Sequence, residues 1–354
     1  MPTVAGVDCH KDSHAIVVVD ELGKVLRSFS IDASSEGYHQ AIAVGKELRV
    51  AAWGLEGTGV YGRSFAHALI LAPFEVFEVP GIVTKRHRKH ASRKGKSDEL
   101  DARAIAEAVL RESDRLPRFR EFAEQEALRL RYDRRNRLVR ERTTLINRLR
   151  SAALRLAIEA VPSDLTSSAG LERLREAVQP LSGSGLVEDA LIEEALFEIA
   201  TLARLNAEIR KLEQLMSPFV KGLAPELLEL RGVSIVTAAG LIGHAGDIGN
   251  LRNAAAFAMR SATAPIPWSS GRNQTVRINS GGDRQLNRLL HVIALTQVRS
   301  ADHPGRRYYD RKMTEGKTPR SAIRALKRQL ATVVFYRLRL CQERLESQLS
   351  SIAA

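Results

Sequence analysis

Residues 3–31 read TVAGVDCHKDSHAIVVVDELGKVLRSFSI, and this stretch decides the fold of the N-terminal part of the chain. Two runs rich in β-branched residues, TVAGVD and HAIVVVD, are typical of buried strands. The tetrapeptide from Glu21 to Lys24 is a turn signal before a third run, KVLRSFSI. The sequence therefore predicts three short strands that follow one another directly.

The segment that follows alternates between helical and strand patterns. Helices are predicted at residues 35–50 and 62–72 and from residue 98 onward, and strands at residues 50–56 and 74–79. The order β-β-β-α-β-α-β-α resembles an RNase H-like (RuvC-like) fold, in which helices cover a mixed sheet. The active site then belongs where strand ends meet the last helix. We therefore predict an α/β domain of this type at residues 1–117.

Four acidic residues occupy the ends of these elements. Asp8 ends the first apolar run and Glu56 ends another in RVAAWGLEGTG, whereas Asp98 and Asp101 share one helical face in KSDELDARAIAEAVL. The predicted topology brings all four together, and close carboxylates repel one another unless a cation compensates. Mg²⁺ prefers such oxygen ligands, and paired metal ions commonly serve to break and join phosphodiesters. The first hypothesis is a metal-dependent enzyme acting on a nucleic-acid backbone.

Each acid also has a simpler interpretation. Asp8 could cap a strand, Glu56 could belong to a turn, and Asp98 could be a charge favoured by the helix dipole. The occurrence of all four in this order favours the metal site over these separate explanations. We expect His10, two residues after Asp8, to lie near the site rather than in it.

The overall composition points to a polyanionic partner. Lys and Arg number 54 against 41 Asp and Glu in 354 residues, a net charge of +13, which favours nucleic acid. No apolar run is long enough to span a membrane, and the N-terminus lacks the pattern of a secretion signal. Cys9 and Cys341 form neither a disulfide framework nor a zinc site. We predict a cytoplasmic protein without a membrane partner.

The segment between the last predicted strand and the acidic pair is strongly basic. Residues 84–96 contain no acid and seven cations, Lys85, Arg86, Arg88, Lys89, Arg93, Lys94 and Lys96. A charge run of this kind is either a solvated loop or a loop that binds phosphates and orders when nucleic acid arrives. We favour the second interpretation because the run leads directly to the proposed metal site. Residues 299–328 form a second basic surface.

The remainder of the chain is predicted to be mainly helical. Leu138, Leu145, Leu149 and Leu156, and later Ile199, Leu202, Ile209, Leu212 and Met216, repeat at heptad-like spacing. This spacing predicts a long helical hairpin or coiled coil at residues 118–222, with its seam either inside one subunit or between subunits. Pro218 and Pro225 mark the boundary to a mainly helical domain at residues 223–354. Its Gly232 turn either packs or holds a DNA phosphate at a helix start.

Taken together, these motifs resemble the DEDD transposases of bacterial insertion sequences, bridge-RNA-guided serine recombinases related to the pilin-gene invertases. The N-terminal resemblance rests on GVDCHK, GLEGTGVYG and KSDELDARAIAEAV. The C-terminal resemblance rests on LRGVSIVTAAGLIGHAGDI, NAAAFA and APIPWSSGRNQTVRINSGGDRQLNRLLHVIAL. The family has a proline followed five residues later by Ser-Gly, which corresponds here to Pro265 and Ser270-Gly271. The chain departs from the family at Gly232-Val233-Ser234, Ala262-Thr263 and Arg272-Asn273-Gln274.

The resemblance implies a specific activity. The four carboxylates would hold Mg²⁺, two ions in all, with Mn²⁺ as an alternative, and Ser270 would attack the DNA to form a phosphoserine link. The two half-sites would come from different subunits, so the active form would be a dimer or tetramer. An RNA encoded by the element would guide recombination by pairing with target and donor DNA. Apart from the resemblance, we predict that Arg272 is a further nucleic-acid contact. The protein would act on DNA of the bacterial nucleoid.

Two other functions remain open. A Holliday-junction resolvase or related nuclease would use the same carboxylates to activate water, which leaves Ser270 and the second basic domain unused. A basic nucleic-acid-binding protein with a decayed RNase H-like domain would not be an enzyme, and the intact acidic set argues against it.

Overall fold

The computed structural model describes residues 3–58, 61–90, 97–182, 185–270 and 273–353. The chain divides into two compact units, Met1–Glu121 and Phe122–Ala354. The long helices and the C-terminal helices belong to the same unit, and the division of residues 118–354 into two domains stays a prediction.

The first unit is built on a five-stranded mixed sheet. Its strands are β1 (Thr3–Cys9), β2 (Ser13–Val19), β3 (Val25–Asp32), β4 (Val50–Glu56) and β5 (Glu75–Glu78). They are ordered β3-β2-β1-β4-β5, with β1 antiparallel to β2 and parallel to β4. The three predicted N-terminal strands and the two later ones are therefore confirmed. The strands β1 and β4 are neighbours although 40 residues separate them, because the β2–β3 hairpin folds away to one side.

Four helices accompany the sheet, namely α1 (Ser35–Glu47), α2 (Arg63–Leu71), α3 (Gly81–His90) and α4 (Asp98–Glu112). A basic loop was predicted at residues 84–96. The structure corrects this prediction, because the first half of that segment belongs to the helix α3. Lys and Arg are good helix formers, and the buried side chains of Thr84 and His87 give α3 a packing face. Residues 91–96, with Arg93, Lys94 and Lys96, lie outside the described residues.

Alternate side chains of the strands build a core on each face of the sheet. One face buries Val7, Ile16 and Trp53, and the ring of Trp53 meets Phe65 and Phe74 edge-on. The other face packs against α4 through side chains such as Val17 of β2 and Ile105 and Val109 of α4.

A glycine sets the distance between α4 and the sheet. A Cβ atom on Gly6 would lie 2.1 Å from the carbonyl oxygen of Ala102 in α4. The backbone of α4 therefore approaches β1 as closely as only glycine permits. This close packing carries the first turn of α4, with its acidic residues, to the sheet edge where β1 and β4 end.

The second unit is mainly helical. Its elements are α5 (Ala123–Arg155), α6 (Ser168–Val178), α7 (Leu186–Leu223), α8 (Pro225–Leu228), α9 (Ile235–Ala245), α10 (Ala254–Arg260), β6 (Pro265–Ser270), β7 (Asn273–Ile278), α11 (Arg284–Arg299), α12 (Pro304–Thr314) and α13 (Pro319–Ala353). The antiparallel hairpin β6–β7 and the helix α6 were not predicted. Among the described residues, no helix combines the length and the apolar character needed to cross a bilayer.

The long helices α5 and α7 pack along each other within one chain. Ion pairs join them, with 2.8 Å between Arg134 and Glu208. Leu149 and Leu202 of the predicted seam are buried in one cluster with residues of α6 such as Leu174. Leu149 and Leu202 are therefore packed within one chain, and the intersubunit alternative for the seam stays a prediction.

The proline at position 218, one of the two prolines that mark the predicted boundary, lies inside α7 and does not end it. The helix continues to Leu223, and Met216 and Val220 on either side of the proline are buried in the main core of the unit. A proline inside a helix costs about 3 kcal/mol. Burial of two large side chains offsets a cost of this size, at roughly 1.5–3 kcal/mol each.

The turn at Gly232 is a packing turn in the structure. Gly232 has φ +93°, and a Cβ atom on it would lie 3.0 Å from Thr296 and 3.2 Å from Ile293 of α11. The following helix α9 is capped by the side chain of Ser234. The turn therefore lies against α11, which supports the packing interpretation over a phosphate site.

Candidate active site

The carboxyl ends of β1 and β4 place two acids side by side. Asp8 and Glu56 are register partners in these neighbouring parallel strands. Asp98 and Asp101 lie in the first turn of α4, whose N-terminus is capped by the Ser97 side chain. The structure thus brings acidic residues from three separate elements to one edge of the sheet.

A histidine joins two of these acids. The Nε2 atom of His10 lies 3.2 Å from Asp8 Oδ2 and 3.4 Å from Asp98 Oδ1. We expected His10 beside the acidic group, but the structure places its ring between two of the carboxylates. The sequence does not show whether a histidine at the end of a strand lies beside a group of acids or between two of them.

Burial and neighbouring carboxylates dominate the local electrostatics of Asp8. Burial raises the pKa of the Asp8 carboxyl above its ordinary value, and the charge of His10 acts in the opposite direction. The neighbouring carboxylates Asp101, Glu56 and Asp98 raise that pKa further by repulsion. A divalent cation among these oxygens would relieve the repulsion.

The donor set fits such a cation. One ligand atom each from Asp8, His10 and Asp98 lies within 4.8 Å of the other two. Two carboxylates with one imidazole suit Mg²⁺ or Mn²⁺, hard or borderline ions that prefer oxygen and accept nitrogen. The remaining predicted ligands, Glu56 and Asp101, lie outside this compact group of three.

The helix α3 limits the space on the far side of the acids. A Cβ atom on Gly81, the first residue of α3, would lie 2.7 Å from Glu56 Oε1. From the next turns of the same helix, Arg88 donates to Asp101 Oδ1 at 2.7 Å. Asp101 is therefore engaged by a cation of the protein itself.

The other predicted phosphate-binding cations have varied surroundings. Arg86 is paired with Glu112, which also accepts from His87, and Lys85 is exposed on α3. Lys89 belongs to α3, but its side chain lies outside the described residues, as does Arg272 entirely. Arg86 and Arg88 thus tie α3 to α4 in this structure.

Cys9 follows Asp8 directly and is buried. Burial raises the pKa of its thiol to about 12, and the charges of Asp8 and Glu56 add to that effect. A thiol with such a pKa is protonated at neutral pH and is a poor nucleophile. Cys9 therefore has a packing role at this sheet edge.

Ser270 belongs to the second unit. It is the last residue of β6, and its backbone pairs with Asn273, the first residue of β7. The hairpin thus carries Ser270 at the end of a paired strand, next to the connection between the two strands.

The second unit also contains an Asp–His–Asp group that was not predicted. The Nε2 atom of His244 lies 3.0 Å from Asp133 Oδ1, and its Nδ1 atom lies 3.5 Å from Asp283 Oδ2. Asp283 also accepts from the backbone N–H groups of Gln285 and Leu286 at the start of α11. The three residues lie on different elements with unrelated spacing, so the sequence contains no signal for the group.

Comparison with protein families gives two matches. Residues 5–157 match the family described as a transposase of the DEDD type found in IS110. Residues 224–310 match the family described as "Transposase IS116/IS110/IS902 family". Together the two matches cover most of the chain and include every predicted carboxylate and Ser270.

Similar proteins come from bacterial insertion elements. The uncharacterized 44.8 kDa protein of insertion element IS116 from Streptomyces clavuligerus is 25% identical over 94% of each chain. The transposase of IS1111A from Coxiella burnetii is 25% identical over 81% of this chain and 75% of its own. Among solved structures, Thermus thermophilus RuvC with a Holliday junction substrate matches 34% of this chain and 100% of its own, at 15% identity and TM-score 0.28.

Proposed function

Since this chain belongs to the IS110/IS116 family of insertion-sequence transposases, enzymes that cut and rejoin DNA, we propose that it does so through a phosphoserine intermediate formed by Ser270. In this proposal Asp8, Glu56, Asp98 and Asp101 form the metal-binding half of the site, with His10 as an added ligand. The observation that carries the metal half is the convergence of Asp8, His10 and Asp98 within 4.8 Å.

The residues of the acidic group would hold one or two divalent ions, Mg²⁺ or Mn²⁺. Such ions neutralise charge that develops on phosphate oxygens. Asp8 and Glu56 are fixed by the sheet register, and Asp98 by the first turn of α4. Ligands on rigid elements of this kind hold their positions during the reaction better than ligands on loops.

The chemistry of Ser270 conserves the energy of the phosphodiester. Its Oγ atom bonds to the scissile phosphorus, the bond from phosphorus to the leaving sugar oxygen breaks, and that oxygen takes up a proton. In the second step a hydroxyl of another DNA end attacks the phosphoserine, which restores the serine hydroxyl and forms a new phosphodiester. Covalent catalysis of this type divides one difficult step into two easier ones. Hydrolysis by water would dissipate the bond energy that rejoining requires.

The partners of the reaction follow from the family resemblance and the charge. An RNA encoded by the element would pair with donor and target DNA, and the active form would be a dimer or tetramer in the bacterial cytoplasm. The net charge of +13 suits two polyanionic partners.

The test is detection of protein-linked DNA on a denaturing gel, with labelled DNA containing the joined ends of the element. Wild-type protein should give a covalent adduct, and Ser270→Ala should give none while still binding DNA. Ser269→Ala, the adjacent serine, is the matched control and should retain the adduct, because orientation of the attacking atom is worth many kcal/mol. An adduct that persists in Ser270→Ala would show that another residue is the nucleophile. DNA nicking without any adduct, in wild type and both variants, would instead indicate a nuclease that uses water.

A further inference from the structure

A strongly basic cavity lies beside the base of the β6–β7 hairpin. It encloses about 470 Å³ between the segment that leads into β6, the end of β7, and the helices α11 and α13. No acid lines it among the described residues, whereas six cations do, Arg277, Arg284, Lys317, Arg324, Lys327 and Arg328. These cations come from four parts of the chain, so their meeting is a property of the fold and not of a charge run.

The innermost of these cations is Lys327. Its side chain is almost fully buried, with 8% of the residue exposed. Its Nζ atom donates to Asn287 Oδ1 at 2.7 Å. The Nδ2 atom of Asn287 donates in turn to the carbonyl oxygens of Ser261 and Ala262, at 3.0 and 2.9 Å. Because both carbonyls can only accept, the amide of Asn287 is fixed with its oxygen toward the lysine.

The charge of Lys327 is not balanced inside the protein. Among the described residues it has no carboxylate partner, and its one hydrogen bond goes to a neutral amide. Burial lowers the pKa of Lys327, and the charge of Arg324 lowers it further. A buried ammonium without a counter-ion is costly, and an anion bound in the cavity would offset that cost.

The nearby acids are used elsewhere. Asp283 is paired with His244 and accepts from the first backbone N–H groups of α11. Glu315, close to Lys317 in sequence, is bound by Lys312 at 2.6 Å. Neither of these two acids is therefore available to balance Lys327, whereas an anionic ligand in the cavity would be.

We propose that this cavity binds a backbone phosphate of the DNA strand that Ser270 attacks, with Lys327 as the innermost phosphate ligand and Arg324 and Lys317 at the rim. The inference rests on the proposed function, since it concerns the DNA strand that Ser270 is proposed to attack. Pro265 lines the cavity and begins β6, and Ser270 ends it. The β-strand from Pro265 to Ser270 is about 17 Å long.

A phosphate held at this fixed distance would determine which phosphodiester reaches Ser270. The cavity would then act as a positioning site that sets the point of cleavage. Such contacts fix the register of a protein on DNA without reading its sequence. Lys327, Arg324 and Lys317 would thus be positioning residues rather than catalytic ones.

The test compares charge-removing variants of the full-length protein. Arg324→Gln and Lys327→Met remove cations of the cavity, whereas Arg339→Gln removes an exposed cation of α13 that does not line it. The probes are a duplex DNA of arbitrary sequence and a single-stranded RNA of the same length. Binding of each is measured over a range of salt concentrations, and circular dichroism checks the fold.

Each cavity variant should weaken DNA binding about threefold to tenfold more than Arg339→Gln does. The slope of log K against log salt should become shallower by about 0.9 for each DNA phosphate that the variant no longer neutralises. RNA binding should change no more than in the control. Arg324 is exposed, so Arg324→Gln keeps the test decisive even if Lys327→Met unfolds the protein.

Equal DNA slopes in Arg324→Gln and Arg339→Gln would overturn the proposal, and so would an effect confined to RNA. A second measurement maps the protein-linked phosphate in the wild-type adduct and in Arg324→Gln. One position in the wild type and several in the variant are expected. These outcomes are separate from those for the proposed function, because the loss of adduct in Ser270→Ala does not depend on the cavity.

Discussion

Asp101 is held by Arg88 at 2.7 Å, whereas Asp8 and Asp98 face the ring of His10. A metal ion that uses Asp101 must therefore compete with a guanidinium group. Asp101 is buried and Arg88 is only partly exposed, so this pair is worth at least the roughly 1 kcal/mol of a solvent-exposed ion pair. The ion pair therefore affects how readily Asp101 becomes available as a metal ligand.

We predict that Arg88→Gln strengthens metal binding. Removal of a competing ion pair worth at least about 1 kcal/mol should lower the Kd for Mn²⁺ about fivefold or more. Titration calorimetry measures this without DNA or turnover. Arg86→Gln is the matched control, since Arg86 also joins α3 to α4 but pairs with Glu112, which is not in the acidic group. If both variants bind Mn²⁺ like the wild type, Asp101 is not a ligand.

The sequence predicted the positions of the acidic residues better than it predicted which side chains contact them. Asp8 and Glu56 were recognisable because each ends an apolar run, and the end of a strand is a fixed place in a sheet. The contact of His10 with Asp98 and that of Arg88 with Asp101 were not predictable. Each depends on how α3 and α4 pack on the sheet, which no local pattern specifies.

Among the elements, His244 links three helices of the second unit. Its ring contacts Asp133 of α5 and Asp283 at the start of α11, while His244 itself lies in α9. Burial acts to lower the pKa of His244, but the hydrogen bonds and charges of Asp283 and Asp133 outweigh it and raise the pKa above its ordinary 6.5. Asp133 also pairs with Arg129, at 3.8 Å.

This arrangement predicts how stability depends on pH. A raised histidine pKa means that the folded state binds the proton more tightly, so the stabilisation is complete below pH 6.5 and is lost as pH rises through the folded value. Calorimetry should therefore show a wild-type Tm that falls as pH rises above 6.5 through the raised pKa of His244. His244→Gln should lower the Tm at pH 6 and flatten this slope. Asp133→Asn, which keeps the imidazole but removes one carboxylate, should give an intermediate slope.

A wild-type slope of Tm against pH that survives in His244→Gln would assign the pH dependence to another group.

At acidic pH, stability should depend on pH in the opposite direction because of Asp283. Burial acts to raise the pKa of its carboxyl, but His244 and two backbone N–H groups lower it below the ordinary value. Its stabilisation is present above the ordinary value and is lost as pH falls through the folded one.

The elements that the sequence missed share a physical reason. The helix α6 lies in a stretch broken by serine and proline, and β6 contains Pro265 and Pro267, which demote a strand prediction. The helix α3 is a charge run without apolar periodicity. Buried side chains of α6 and α3 add packing that their sequence patterns do not show, whereas β1, β2 and β4 combine strong strand preference with burial.

On the scale of the whole molecule, two phenylalanines mark where one unit ends and the other begins. Phe119 packs against the core of the first unit, whereas Phe122 is buried in the core of the second. Only Arg120 and Glu121 separate them, and Glu121 is paired with Arg63 of the first unit. The two cores are therefore separate although the chain between them is short.

We predict that residues 1–121 fold alone. The sheet, both of its cores and the acidic group lie within this range, so the fragment should melt cooperatively by circular dichroism and bind Mn²⁺. Asp8→Asn in the same fragment is the control and should melt similarly but bind Mn²⁺ at least tenfold more weakly, a difference of about 1.4 kcal/mol. A fragment without a cooperative transition would show that the first unit depends on the rest of the chain.

The two tryptophans of the chain fall one in each unit. Trp53 is buried in β4 three residues before Glu56, and Trp268 lies in β6 two residues before Ser270. The protein thus carries an intrinsic fluorophore in each strand that leads to its proposed chemistry. In Trp53→Phe the tryptophan emission comes from the hairpin alone, and in Trp268→Phe it comes from the sheet alone. The emission of either variant is a label-free optical signal from one half of the enzyme while the other half binds its own ligand.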